Sequence, residues 1–133
     1  MEEQGLVIAV RRRAGHVLVT VSGEIDIATA AQLRDRLAGP VGGRRQVIVD
    51  LSRVSFIDAA GAGVLADAAA RAAARGASFQ LATAGRQVRR VLALTGLDRS
   101  IPLAATVAEA RAALRAVPDL RQSVSRQAGT DRA

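Results

Sequence analysis

A chain of 133 residues with half of its residues hydrophobic suits one domain with a single core. With no Cys and one His it excludes disulfides, thiol catalysis, Cys-ligated zinc and a His-rich metal site, and no metal or cofactor is expected. The net charge is +7 and all 19 basic residues are Arg, but these lie scattered, and two Phe with no Trp or Tyr give little to stack on bases; a solvated basic surface is expected, not a nucleic-acid interface.

The chain opens on Glu2 and Glu3, with no positive patch before a long apolar run. No signal peptide or membrane span is therefore expected, and the expected location is cytoplasmic. Residues 5–12 (GLVIAVRR) and 16–23 (HVLVTVSG) read as two strands of a hairpin, with Gly15 in the turn. His16 falls at the start of the second strand, where a solvated structural role is expected. A helix follows, capped by Thr29 or Asp26, whose side-chain oxygens can accept from the unpaired N–H groups of a first turn. Leu33 and Leu37 lie on one of its faces, with Arg34, Asp35 and Arg36 largely on the other, and Gly39-Pro40 is expected to stop it.

Gln46–Leu51 is a short apolar run without strict alternation, which suits a central strand covered on both faces. A second apolar piece, Val54–Ile57, leads into Asp58. Residues 60–75 are alanine-rich and helical, closing at Gly76. SFQLAT is a further strand. GRQVRRVLALTGL is a helix with Val88, Val91, Leu92 and Thr95 inward and Arg86, Arg89 and Arg90 mostly outward. SIPLA reads as a short edge strand, where Pro102 is tolerated. A last helix opens on Thr106, with Glu109 three residues on as a capping box, and presents Val107, Ala110 and Leu114 inward. The order β-β-α-β-α-β-α-β-α predicts an α/β fold: one domain over residues 1–117, with a mixed, mostly parallel sheet of about five strands and about four helices. The polar stretch 118–133 is expected to be a disordered tail.

One stretch stands apart. In SFIDAAGAGVL, residues 55–65, a lone carboxylate at Asp58 separates a strand from a helix that begins with almost no side chains. Asp58 reads as a helix N-cap or turn residue. Gly61 and Gly63 carry no Cβ and allow another backbone to come close. The stretch lacks the Gly-Lys-Ser/Thr of a phosphate loop, the G-x-G-x-x-G of a dinucleotide site and a Ser between its glycines. No acid/base pair or nucleophile is set up, so no catalytic residue is assigned and an enzyme is not expected.

Three stretches resemble the STAS family of the anti-sigma factor antagonist type: VSGEIDIATAAQLRDRL, VIVDLSRVSFIDAAGAGVL and VRRVLALTGLDRSIPL, in the family's order. The resemblance implies a regulatory binding module without catalysis. Its partner would be an anti-sigma factor that is also a serine kinase, and binding would free a sigma factor. The implied partner-binding residues are Asp26, Asp58, Ala59, Ala60 and Gly61. In family antagonists the first serine after the signature aspartate is phosphorylated, which abolishes binding. Here that position is Ala59, followed by Ala60, and neither accepts phosphate. The resemblance thus implies a binder not switched at this position, with Ser55 and Ser52 as substitute hydroxyls whose ordinary reading is strand or turn polarity. The alternatives are a STAS subunit of a stress-signalling or lipid-transport assembly, and self-association beside the protein partner.

Overall fold

Strand alternation at the N-terminus produces a long hairpin. In the computed structural model, which describes residues 5–43 and 45–116, β1 (Val7–Arg13) pairs antiparallel with β2 (His16–Ile25) from Val7↔Ser22 to Arg13↔His16. The turn is Ala14-Gly15, and Gly15 adopts φ +84°, open to glycine at no steric cost. The chain then runs through α1 (Ala30–Gly42), β3 (Gln46–Ile57), α2 (Ala59–Ala74), β4 (Phe79–Ala82), α3 (Arg86–Leu94), α4 (Leu97–Ser100), β5 (Leu103–Ala104) and α5 (Val107–Ala116). The sheet order is β1-β2-β3-β4-β5, and every pair beyond the hairpin is parallel.

Because successive strand residues point to opposite faces, the sheet divides its apolar residues into two layers. On one face Val17, Val19, Val21, Val47, Val49 and Leu51 meet α1, α2 and α3 through Leu33, Leu37, Leu65, Val88 and Leu92, all buried. On the other, Ile48 and Ala82 meet Ala110 of α5, with Leu18, Val107 and Leu114 packed around them. The predicted inward faces of the first and last helices are thus the observed ones. In α3, Val88 and Leu92 are buried, Val91 is half-buried, and Arg86, Arg89 and Arg90 are exposed; Thr95 is exposed instead of inward.

Beside the outward-facing Thr95, five expectations are corrected or refined. First, β3 is one strand of 12 residues, not two pieces. Its outer half, beyond Asp50, has left β4 but still lies along β2, which keeps pace through register shifts at Thr20/Ser22 and Gly23/Glu24. Second, α1 does not stop at Gly39-Pro40 but carries Pro40 inside its last turns. Proline there has no N–H for the carbonyl one turn back, and burial of Pro40 and Val41 against the core offsets that loss. Third, where about four helices are expected, the described residues hold a short fifth, α4. Gly96, at φ +78°, turns the chain after α3 and starts the single turn α4, too short to leave a periodic signal. Fourth, the edge strand β5 has only two residues, and Pro102 lies just before it, its carbonyl accepting from the Leu81 N–H at 2.9 Å. Fifth, His16 does start β2 but is 6% exposed, not solvated, because β1 and β3 flank it through Arg13 and Gln46. The predicted tail, 118–133, lies outside the described residues.

Candidate functional site

The parallel strands β2 and β3 end side by side, at Ile25 and Ile57, both fully buried. From this point one chain turns through Asp26–Thr29 into α1 and the other enters α2 at once. The two carboxylates of the predicted site lie in these two exits, and both are spent on backbone N–H groups.

Asp26 shapes its own loop. One carboxylate oxygen accepts from the N–H groups of Ala28 and Thr29 at 3.0 and 3.1 Å. Thr29 answers by accepting from the Asp26 N–H at 3.0 Å and donating to the Glu24 carbonyl at 2.8 Å. Neither side chain caps the first turn of α1 as expected: the Asp26 carboxylate serves Ala28 and Thr29, just before the helix, the Ala30 N–H donates to the Asp26 backbone carbonyl, and Thr29 holds the N-cap position without a side-chain cap bond.

Asp58 joins the two exits. Its backbone is extended, and Oδ1 accepts from the Gly61 N–H at 3.0 Å, the cap geometry expected at a helix start. Oδ2 accepts from the N–H of Ile27, in the other loop, at 3.1 Å. The Asp58 N–H donates to the Ile25 carbonyl at 3.0 Å. One side chain therefore caps α2 and tethers the β2–α1 loop.

Gly61 is the residue that lets α2 come this close. A Cβ there would stand 2.5 Å from Ile25 Cγ2 and 2.8 Å from both the Ile25 carbonyl oxygen and Ile57 Cγ1. It is buried, a spacer beneath the corner, whereas Gly63 is exposed with nothing within 4 Å of its Cβ position. Close backbone approach is thus required at the first glycine and not at the second. Ala59 is exposed and Ala60 half-buried, in the first turn of α2. Ser52 and Ser55 are both exposed on β3, several residues short of the corner; the Ser52 N–H donates to Asp50 Oδ1 at 2.9 Å.

Two residues of the site carry no sequence signal of their own. Ile27 is 81% exposed in the loop between β2 and α1. With Ala30, Ala31, Ala60, Gly63 and Val64 it lines a groove of about 390 Å³ between α1 and α2, closed at the far end by Arg34 and Asp67. The other is Gln87 of α3. Its amide accepts from the Ile57 N–H and donates to the Ile57 carbonyl, each at 2.9 Å, replacing the strand that β4 no longer provides there. Among the described residues no cluster of three or more His, Cys, Asp or Glu is placed to hold a metal, and no helix is long and apolar enough to cross a membrane.

Residues 7–110 match the STAS domain, and the chain belongs to that family. Among curated relatives, it is similar to the anti-sigma-F factor antagonist RsfB of Mycobacterium tuberculosis, 29% identical over 111 residues that cover 83% of this chain and 90% of that one. Among solved structures it is similar to an anti-sigma factor antagonist from Mycobacterium paratuberculosis, 32% identical, with a TM-score of 0.77 over 83% of this chain and 94% of that one. The same fold occurs within the murine anion transporter Slc26a9, at 21% identity and a TM-score of 0.70, covering 80% of this chain and 19% of the transporter.

Proposed function

We propose that the protein is a non-enzymatic, cytoplasmic anti-sigma factor antagonist: it binds an anti-sigma factor serine kinase and thereby frees a sigma factor. The observation that carries this reading is the corner itself. Two loop exits are locked together by Asp58, and beside them lie the exposed Ile27, Ala59 and Gly63 and the half-buried Ala60, all without charge. Such a surface is suited to a packed protein contact and to no chemistry. The names of the relatives support the same role, and the transporter likeness supports only the fold.

In this reading Ala59 takes the place of a phosphorylated serine and keeps the protein in its binding form. A phosphate here would add nearly two negative charges beside Asp58; the methyl group of Ala59 admits none. The test is a titration against the anti-sigma factors of the same organism, each preloaded with its sigma factor. One of them should bind the chain and release its sigma factor. After incubation with that protein and ATP, intact mass should show no added phosphate. Failure of every anti-sigma factor to bind would reject the role. A phosphate on Ser55 or Ser52 would mean that control had moved along β3.

A further inference from the structure

We infer that Ile27 is the anchor residue of the partner contact, and that Asp58 is a positioning residue that presents it; the inference rests on the proposed antagonist role and specifies how the corner binds. Ile27 is the most exposed large apolar side chain among the described residues, at 81%. It does not lie on a ragged surface. Its N–H is held by Asp58 Oδ2 at 3.1 Å, and the loop on either side is pinned by Asp26 and Thr29. An isoleucine fixed at its backbone and bare at its side chain is preorganised for burial, since little loop entropy remains to be lost on binding.

The chemistry of the partner follows from the surroundings. The chain carries a net charge of +7, yet most of the groove that Ile27 lines is made of Ala30, Ala31, Ala60, Gly63 and Val64, none of them charged. The neighbouring carboxylates, Asp26 and Asp58, turn their oxygens to backbone N–H groups. Charge enters only at the far rim, with Arg34 and Asp67. An exposed apolar side chain beside a mostly apolar groove, whose two charges Arg34 and Asp67 are of opposite sign, is complementary to an apolar pocket on a protein, flanked by a segment thin enough to lie between α1 and α2. A second copy of this chain is disfavoured by like charge.

Leu94, 77% exposed on α3, serves as the control for loss of an exposed apolar side chain elsewhere. Affinity for the anti-sigma factor that binds the wild-type chain is measured by titration calorimetry, with circular dichroism to confirm folding. Ile27→Ser should weaken binding at least tenfold, as truncation of a central anchor does, and Leu94→Ser should leave it unchanged. Asp58→Asn can still cap Gly61 through its one oxygen but turns an NH₂ toward the Ile27 N–H. It should weaken binding by about two- to tenfold, the range of one lost hydrogen bond. If Asp58 acts through Ile27, most of that effect should vanish when Ile27→Ser is already present, a coupling that a general loss of stability would not produce. Ala59→Asp separates the two levels of the reading. If it abolishes binding while Ile27→Ser binds like wild type, the corner is the interface and Ile27 is not its anchor. If Leu94→Ser is as damaging as Ile27→Ser, or if the two substitutions at Asp58 and Ile27 add in full, the inference is also overturned. If no anti-sigma factor binds the wild-type chain, the antagonist role and the anchor fall together.

Discussion

At Ala59 the difference between one methyl group and one carboxylate decides between contact and repulsion. The residue is exposed at the first position of α2, next to Asp58. Serine is barely larger than alanine, so Ala59→Ser should bind the anti-sigma factor as the wild type does. Aspartate brings an uncompensated charge into a contact that excludes water, which costs about 2–5 kcal/mol, and Ala59→Asp should weaken binding about thirtyfold or more. The helix dipole does not rescue it, because it favours the charge equally in the free protein. Calorimetry of the two variants against the wild type checks the pair. Gly61, two residues on, answers to packing and not to charge. Gly61→Ala would force its Cβ against the Ile25 carbonyl, which belongs to a central strand and cannot swing aside. Urea denaturation should show a loss of about 1–3 kcal/mol or more, the range for overpacking a tight core. Thr83 points the other way. It is the one non-glycine described residue with positive φ, at +63°, and it is β-branched. Left-handed backbone costs such a residue about 1–2 kcal/mol, more than the chain entropy that glycine adds, so Thr83→Gly should raise stability by up to about 1 kcal/mol in the same assay. The sequence exposes the first two positions, because a carboxylate before AAGAG is visible by eye; Thr83 left no trace, since nothing in QLATAG marks the third residue from its end as left-handed.

At the level of elements, periodicity located the helices and strands, and part of what it missed depends on partners distant in sequence. The full length of β3 is held where a neighbouring strand and a side chain, not local propensity, supply the backbone partners. Beyond Asp50, β3 runs without β4, and it remains a strand to Ile57 because β2 flanks one side and Gln87 closes the last position on the other. A second amide does the same work at the start of β1: Gln32 of α1 accepts from the Leu6 N–H at 3.0 Å and donates to its carbonyl at 2.7 Å. Neither glutamine stands out in the sequence, because the pairing spans 26 to 30 residues. The role of Gln87 can be tested by charge. Gln87→Glu keeps the acceptor for the Ile57 N–H but turns a second oxygen toward the Ile57 carbonyl, leaving that carbonyl unsatisfied. The variant should lose about 1–3 kcal/mol in urea denaturation, the cost of an unmade buried hydrogen bond. Equal stability of Gln87→Glu and wild type would mean that water replaces the amide and that α3 does not brace the end of β3.

For the molecule as a whole, the surface charge and the proposed interface make opposite demands. The net charge of +7 comes from arginines on the solvent side of nearly every element: Arg11–Arg13 on the edge strand β1, Arg34 and Arg36 on α1, Arg71 and Arg75 at the end of α2, and Arg86, Arg89 and Arg90 on α3. Composition makes this basic surface plain, but only the fold shows that Arg34 alone of these arginines lines the groove at the corner, together with Asp67, beside the uncharged Ile27, Ala60 and Gly63. Salt therefore distinguishes the functions that the charge alone leaves open. A protein held on nucleic acid by six or more phosphate contacts loses about a thousandfold or more in affinity between 50 and 200 mM salt, because each contact releases condensed counterions. A partner seated on a surface whose nearest charges, Arg34 and Asp67, are of opposite sign has few such ions to release. Its affinity for this chain should change less than about tenfold over the same range, and what change there is should fall on the association rate, since rim arginines steer encounter more than they hold the complex. Kinetic binding measurements at the two salt concentrations check both parts. A steep loss of affinity, or one carried by the dissociation rate, would place the contact on the arginine-bearing faces and move the interface away from the corner that Asp58 builds.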